Sequence, residues 1–288
     1  MHNPASEPAG TNLQQVVQMA TDGHPEALDQ LVRALQGGIY GLALRMLGNR
    51  AEAEDATQEI LVRVVTRLAQ FDGRSQVRTW AYRVAVNYLL DVKKSAVERL
   101  HHSFEHMAED LARDPGPGGL LESESSVLID EIKVGCTLGM LQCLDRPHRL
   151  AFVLGEVLEM PGPEAAGILD IEPALFRKRL QKAREAMVGF LRAHCGLLDD
   201  RAPCRCSRMA ARLRSAGAVD AATCEFAEAP TSFEETRRII RQVDEARRVL
   251  HLHHIAEPKP SSIDHAKRLL EALGHDHPPG RETWPAAE

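Results

Sequence analysis

Between residues 28 and 46, Leu28, Leu31, Val32, Leu35, Ile39, Leu42, Ala43 and Met46 recur at helical spacing. An apolar stripe of that period and width must be buried against other helices. The same spacing begins at Leu13 and continues to Leu47. Asn49, with Glu52 three residues on, reads as a capping box that opens a second helix to about Ala69. Its buried face is expected to hold Ile60, Leu61, Val64 and Leu68. The run Phe71 to Arg74 reads as a turn, after which Ser75 is placed to cap a third helix to about Lys94. That helix packs through Val77, Trp80, Ala81, Val84, Ala85, Tyr88 and Leu89. Only 12 of the 288 residues are aromatic, which argues against a large aromatic-rich β core. The fold class expected is all-α.

Composition divides the chain. Residues 100–131 carry eight acidic side chains against Arg113 alone and include the Pro/Gly run 115–119. That composition predicts a flexible acidic linker. The organisation expected is a helical domain over 11–95, a flexible acidic linker over 96–130, and a second helical domain over 131–193. A Cys- and His-containing helical extension follows over 194–288, expected to be a cis-acting regulatory module, with helices near 207–216, 232–254 and 261–273. The N-terminal ten residues are polar and no apolar run reaches membrane-spanning length, so a cytoplasmic protein without membrane insertion and with reduced thiols is expected.

A net charge of −6 and a pI of 6.1 argue, on average, against a nucleic-acid partner. The average hides its parts. Residues 173–193 hold six basic side chains and only Glu185 as an acid. They follow a helix-turn-helix pattern: a short apolar helix from Pro163 to Leu169, a turn at Asp170-Ile171, and Pro173 at a helix start. The second helix would bury Phe176, Leu180, Ala183 and Met187 and expose Arg177, Lys178, Gln181, Lys182 and Arg184, as major-groove insertion requires. A plain helical hairpin fits the same pattern. Four aromatics, Phe71, Trp80, Tyr82 and Tyr88, fall within 18 residues, interleaved with Arg74, Arg78, Arg83, Lys93 and Lys94. On the third helix Thr79, Tyr82, Arg83, Val86 and Asn87 lie opposite the Trp80–Val84–Tyr88 stripe. Such a face suits stacking on unpaired bases and holding phosphates; core aromatics beside a solvated basic face are the alternative.

In this order across a linker, the two patterns are more specific than either alone. The runs Ala53–Ile60 and Phe71–Asn87 resemble region 2 of bacterial RNA polymerase sigma factors of the extracytoplasmic-function (ECF) type. The runs Leu144–Arg149, Pro163–Leu169 and Phe176–Arg184 resemble region 4 of the same family. The resemblance implies that Glu54, Asp55, Gln58 and Glu59 dock on the β′ clamp helices of core RNA polymerase. It implies that Phe71, Arg74, Arg78, Thr79, Trp80, Tyr82, Arg83 and Asn87 melt and capture the minus-10 element of promoter DNA. Arg177, Lys178, Arg179, Gln181 and Lys182 would read the minus-35 element, with Arg179 partly structural, while region 4 meets the β flap. The linker would run near the RNA exit path, its charge mimicking nucleic acid, or would simply be solvated. An anti-sigma protein is a further implied partner.

Three positions depart from the family pattern. Pro161 stands where a Ser commonly caps the first helix of the turn motif. Asp170 replaces the usual turn Gly, and Leu175 takes a position often small and polar. In the extension, Cys195, Cys204 and Cys206, with His194 or Cys224 as a fourth ligand, form a candidate zinc site, although their spacing matches no standard finger. A thiol redox switch or plain reduced thiols are the other readings. No cofactor is required by the initiation reading, and no nucleophile–base pair, phosphate loop or paired-carboxylate pattern points to an enzyme. The rival is a conventional helix-turn-helix regulator with a metal or redox sensor, which needs neither a polymerase-docking helix nor an aromatic melting face.

Overall fold

The computed structural model describes residues 13–92, 96–100, 102–112, 122–199, 201–219, 224, 226 and 258–274. Their elements are α1 (Leu13–Thr21), α2 (Pro25–Leu47), α3 (Arg50–Thr66), α4 (Val77–Asp91), α5 (Ala96–Arg99), α6 (Phe104–Ala112), α7 (Glu122–Gln142), α8 (Arg146–Phe152), α9 (Gly162–Ile168), α10 (Pro173–His194), α11 (Cys206–Ser215) and α12 (His265–Ala272). Among the described residues no strand forms; Cys195 and Cys204 make a lone bridge.

The helical spacing from Leu13 to Leu47 is divided between two helices. Gly23, at φ 91°, turns the chain, and Pro25 opens α2 where its missing N–H costs nothing. α2 is the central element: Leu31, Ile39, Leu42, Ala43 and Leu44 are fully buried, against Ile60, Leu61 and Val64 of α3 and Ala81, Ala85 and Leu89 of α4. Each such large aliphatic side chain contributes about 1.5–3 kcal/mol on burial. Gly48 ends α2 in the left-handed conformation, its N–H donating to Leu44 O at 2.8 Å. A Cβ there would also lie 2.9 Å from Gln142 Cδ, so the glycine serves both the turn and the approach of α7. Asn49 caps α3, Oδ1 accepting from Glu52 N at 2.9 Å. α4 starts at Val77 rather than at Ser75. Asp72 Oδ1 accepts from Arg74 N at 3.1 Å, extending the turn, and Gln76 becomes a cap without a side-chain bond.

The stretch expected to be a flexible linker contains helix. α5, α6 and the start of α7 lie within 96–130, and Phe104 of α6 packs on Phe190 of α10 with ring centroids 5.2 Å apart. The Pro/Gly run at 115–119 lies outside the described residues.

The two helical blocks pack on each other. Glu98, its side chain 5% exposed, sits between Arg146 (Nη2–Oε2 2.7 Å) and Arg149 (Nη1–Oε1 3.0 Å). Arg149, 3% exposed, also donates to Leu141 O at 2.8 Å, Leu144 O at 2.9 Å and Met46 O in the first block. Burial lowers the pKa of its guanidinium, and Glu98 opposes that shift. Gln142 Nε2 donates to Arg45 O at 3.1 Å beside it.

α8 runs into a π turn at Val153–Val157, where Leu158 N donates to Val153 O at 2.9 Å. The turn carries Glu156, which is buried and ion-paired with Arg184 of α10. In the extension, the helices expected near 207–216 and 261–273 form as α11 and a shorter α12. The helix expected at 232–254, with Ile240, Val243, Ala246 and Leu250 on one face and His251, His253 and His254 at its end, lies outside the described residues. α11 packs on α7, and α12 packs on α2 and α3.

Candidate nucleic-acid interface

The turn before α10 needs one residue in the left-handed region, and Asp170 supplies it at φ 51°. Asp tolerates that region better than most side chains because it bonds locally. Ile171 N donates to Ala166 O at 3.1 Å, which closes the turn and aims α10 outward. Pro161 precedes α9 as a cap with no side-chain bond. α10 divides as its period requires. Phe176, Leu180, Ala183 and Met187 are buried, while Arg177, Lys178, Gln181 and Lys182 are exposed and Arg179 is half-buried. Leu175, 40% exposed, stands on the same approach. Gln181 Nε2 donates to Glu185 Oε1 at 2.9 Å. Arg184 is tied to Glu156, so its charge is partly spent within the fold.

The aromatic face of α4 is arranged differently from the helical-wheel expectation. Phe71 and Trp80 are half-buried and paired, ring centroids 5.6 Å apart at 54°. Tyr82 turns inward: a Cβ on Gly38 would collide with its hydroxyl, and burial raises its phenol pKa. Val86, assigned to the outer face, is fully buried. Tyr88, assigned to the packing stripe, is half-buried, with the Arg63 guanidinium 4.7 Å from its ring centroid. α4 meets α2, α3 and α9 rather than a single neighbour: the Tyr82 hydroxyl lies against Gly38 of α2, Tyr88 against Arg63 of α3, and α9 engages Thr79 and Arg83. Thr79 Oγ1 donates to Glu164 Oε1 at 2.6 Å, and Arg83 Nη2 donates to Gly167 O at 2.8 Å. Arg74 and Asn87 remain exposed, Arg74 beside Asp72; Arg78 is half-buried.

On α3, the four polar residues form two stripes. Asp55 and Glu59 face outward, Glu59 pairing with Arg63 at 2.9 Å. Glu54 and Gln58, one turn apart, are engaged from the far end of the chain. Glu54 Oε1 accepts from Ser262 Oγ at 2.8 Å, from Ser262 N at 3.3 Å and from Arg50 Nε at 3.3 Å. Burial pushes the Glu54 pKa up, but these donors outweigh it and hold the carboxyl below its ordinary range. Gln58 Oε1 lies 2.9 Å from His265 Nδ1.

Cys195, Cys204 and Cys206 line one largely apolar cavity of about 420 Å³, together with His194. Cys136 of α7, which the spacing did not nominate, joins them there. Cys224 is described but does not line it; its carbonyl accepts from Lys259 Nζ at 3.1 Å. The His194 ring stacks on Phe190 at 4.8 Å. Burial raises all four thiols, Cys204 to about 11, although Cys195 also receives the Leu197 and Leu198 N–H groups, which oppose the shift. Among the described residues, no three His, Cys, Asp or Glu side chains stand in a metal-holding group.

Sequence reasoning missed Arg149 with Glu98, Glu164, Ser262, His265 and Cys136. Asp264 before an apolar helix does signal the start of α12, and its Oδ1 accepts from Lys267 N at 3.0 Å. Nothing in that signal says which surface the helix meets.

The model of Sigma-70 region 2 matches residues 31–98. RNA polymerase sigma-H factor of Pseudomonas aeruginosa is 30% identical over 177 residues, 60% of this chain and 91% of that protein. ECF RNA polymerase sigma factor SigW of Bacillus subtilis is 28% identical over 59% of this chain and 92% of its own length. ECF RNA polymerase sigma factor SigE of Mycolicibacterium smegmatis is 26% identical over 66% of this chain and 71% of its own. An all-α chain with a basic helix-turn-helix and this much of those proteins' length defines a class of transcription initiation factor. The chain belongs to the ECF type of the sigma-70 family. No helix among the described residues is long and apolar enough to cross a membrane.

Proposed function

We propose that the chain is a promoter-specificity subunit. It docks on core RNA polymerase through α3, with Glu54, Asp55, Gln58 and Glu59 facing the β′ clamp helices, and through region 4 on the β flap. The segment Phe71 to Asn87 captures the unpaired strand of the minus-10 element, where stacking and basic side chains offset the cost of unstacking. α10 enters the major groove at the minus-35 element. The polymerase supplies the chemistry; this chain supplies binding energy and geometry, with no cofactor of its own.

One observation carries the reading: Arg177, Lys178, Gln181 and Lys182 stand exposed on a helix whose opposite face is fully packed, just after a left-handed turn. Phosphate-holding cations beside amide and guanidinium donors fit groove recognition. Run-off transcription with purified core polymerase on a cognate promoter tests it. Added chain should stimulate specific transcripts. Failure to stimulate at any promoter, together with no binding to core, overturns the reading.

A further inference from the structure

α12 arrives from the far end of the chain and lies on α2 and α3. His265, Ala266, Leu269 and Leu270 are buried, while Lys267, Arg268 and Glu271 are exposed. A helix of eight residues does not hold its shape alone in water, so this one depends on the surface it covers. Polar contacts line the approach to it. Arg33 Nη2 reaches Asp264 Oδ2 at 3.3 Å, and Arg50 Nη2 donates to Pro260 O at 3.4 Å. Ser262 donates twice to Glu54, and Ser261 Oγ, 3.0 Å from His265 Nε2, sets the ring against Gln58.

We propose that residues 258–273 are a cis-acting cover for the polymerase-docking helix. The proposal rests on the reading of α3 as that helix. Glu54 and Gln58 are two of the four polar residues expected to meet a basic partner, and the chain's own serine, histidine and arginine now occupy them. Asp55 and Glu59 stay outward, so core polymerase has a foothold from which to displace the cover. Binding then reports the fraction of chain uncovered: a cover closed 90–99% of the time weakens apparent affinity by about 10- to 100-fold.

The test uses the full-length chain and the double variant Leu269→Asp/Leu270→Asp, which places two carboxylates in the apolar contact. Two quantities are read: amide hydrogen exchange of residues 50–66 in the free protein, and affinity for purified core polymerase. The variant should exchange faster on α3 and bind core at least tenfold more tightly. Faster exchange with unchanged or weaker core binding overturns the cover, as does unchanged exchange, which would show that α12 does not rest on α3. If neither protein binds core, the docking assignment of α3 fails and the cover fails with it; faster exchange in that case still separates a real contact from a mistaken surface. Should the double aspartate variant lose its helical circular dichroism, Ser262→Ala/His265→Ala, which keeps the apolar contact, carries the same test with a gain of a few-fold.

Discussion

The two helices proposed to face DNA are in different states. α10 presents its basic side chains to solvent, whereas α4 is closed by α9, with Thr79 bonded to Glu164 and Arg83 to Gly167 O. Under the proposed function a duplex would meet α10 as it stands, whereas a strand at α4 would find Arg74 and Asn87 exposed but Thr79 and Arg83 engaged by α9. The contrast has a chemical cause. The two hydrogen bonds from α4 to α9 are of the sort that exchange readily for contacts to phosphate. The packing beneath α10 is apolar and does not exchange. Under the proposed roles, the reading surface stands open while part of the melting surface is engaged within the fold.

The largest expected effect comes from cutting the staple that holds the two blocks together. Arg149→Ala strips one guanidinium from the buried Glu98 and leaves the carbonyls of Leu141, Leu144 and Met46 without that donor, and should lower stability by about 3–5 kcal/mol in urea unfolding. Exchange on α4 should rise with it, breaking the contrast between the helices. Next, Glu164→Ala removes the acceptor for Thr79 while leaving every side chain of α4 and α10 unchanged. It should weaken the closed form by about 1.5–3 kcal/mol, seen as faster α4 exchange with unchanged circular dichroism. On the open side, Lys182→Ala should weaken binding to duplex across sequences and lower the slope of log affinity against log salt by about 1.

The smallest effect is one of pH. His265 is buried with its pKa lowered, burial and the Arg268 charge acting against Glu54 and Asp264. Arg33 and Arg50 add positive charge along the same contact. Since the undocked imidazole titrates near about 6.5, docking of α12 is fully present above that pH and weakens as pH falls below it. The protection of α3 amides, taken relative to intrinsic exchange at each pH, should accordingly fall on acidification from pH 8 to 5.5, and His265→Ala should remove that dependence.

The helices were legible because each is amphipathic in its own right: α2, α3, α10 and α11 lie where their apolar period places them. The inner and outer faces of α10 were legible for the same reason, because only one side of it is covered. α4 was not. Its wheel assumes one buried side, but α4 meets α2, α3 and α9, so Val86 is buried and the Tyr82 hydroxyl turns toward Gly38 of α2, while the rings of Trp80 and Tyr88 are half-buried. The linker was misread as wholly flexible because its acidic composition masks Phe104, which finds Phe190 eighty-six residues away. Contacts of that separation leave no local signal; neither Glu98 between two arginines nor His265 on Gln58 has a periodicity to detect.

The π turn at Val153–Val157 places one residue more between α8 and the helix-turn-helix than an α-helical turn would. Deleting a single residue there would restore the ordinary i→i−4 ladder and remove the bulge that carries Gly155 and Glu156. Gly155, where a Cβ would lie 2.8 Å from Leu180 Cδ2, faces the buried side of α10, and Glu156 holds Arg184 on its flank. The seat of α10 on this block thus depends on one turn outside its exposed basic face, and a change of residue count there would disturb that seat while leaving every exposed basic side chain in place.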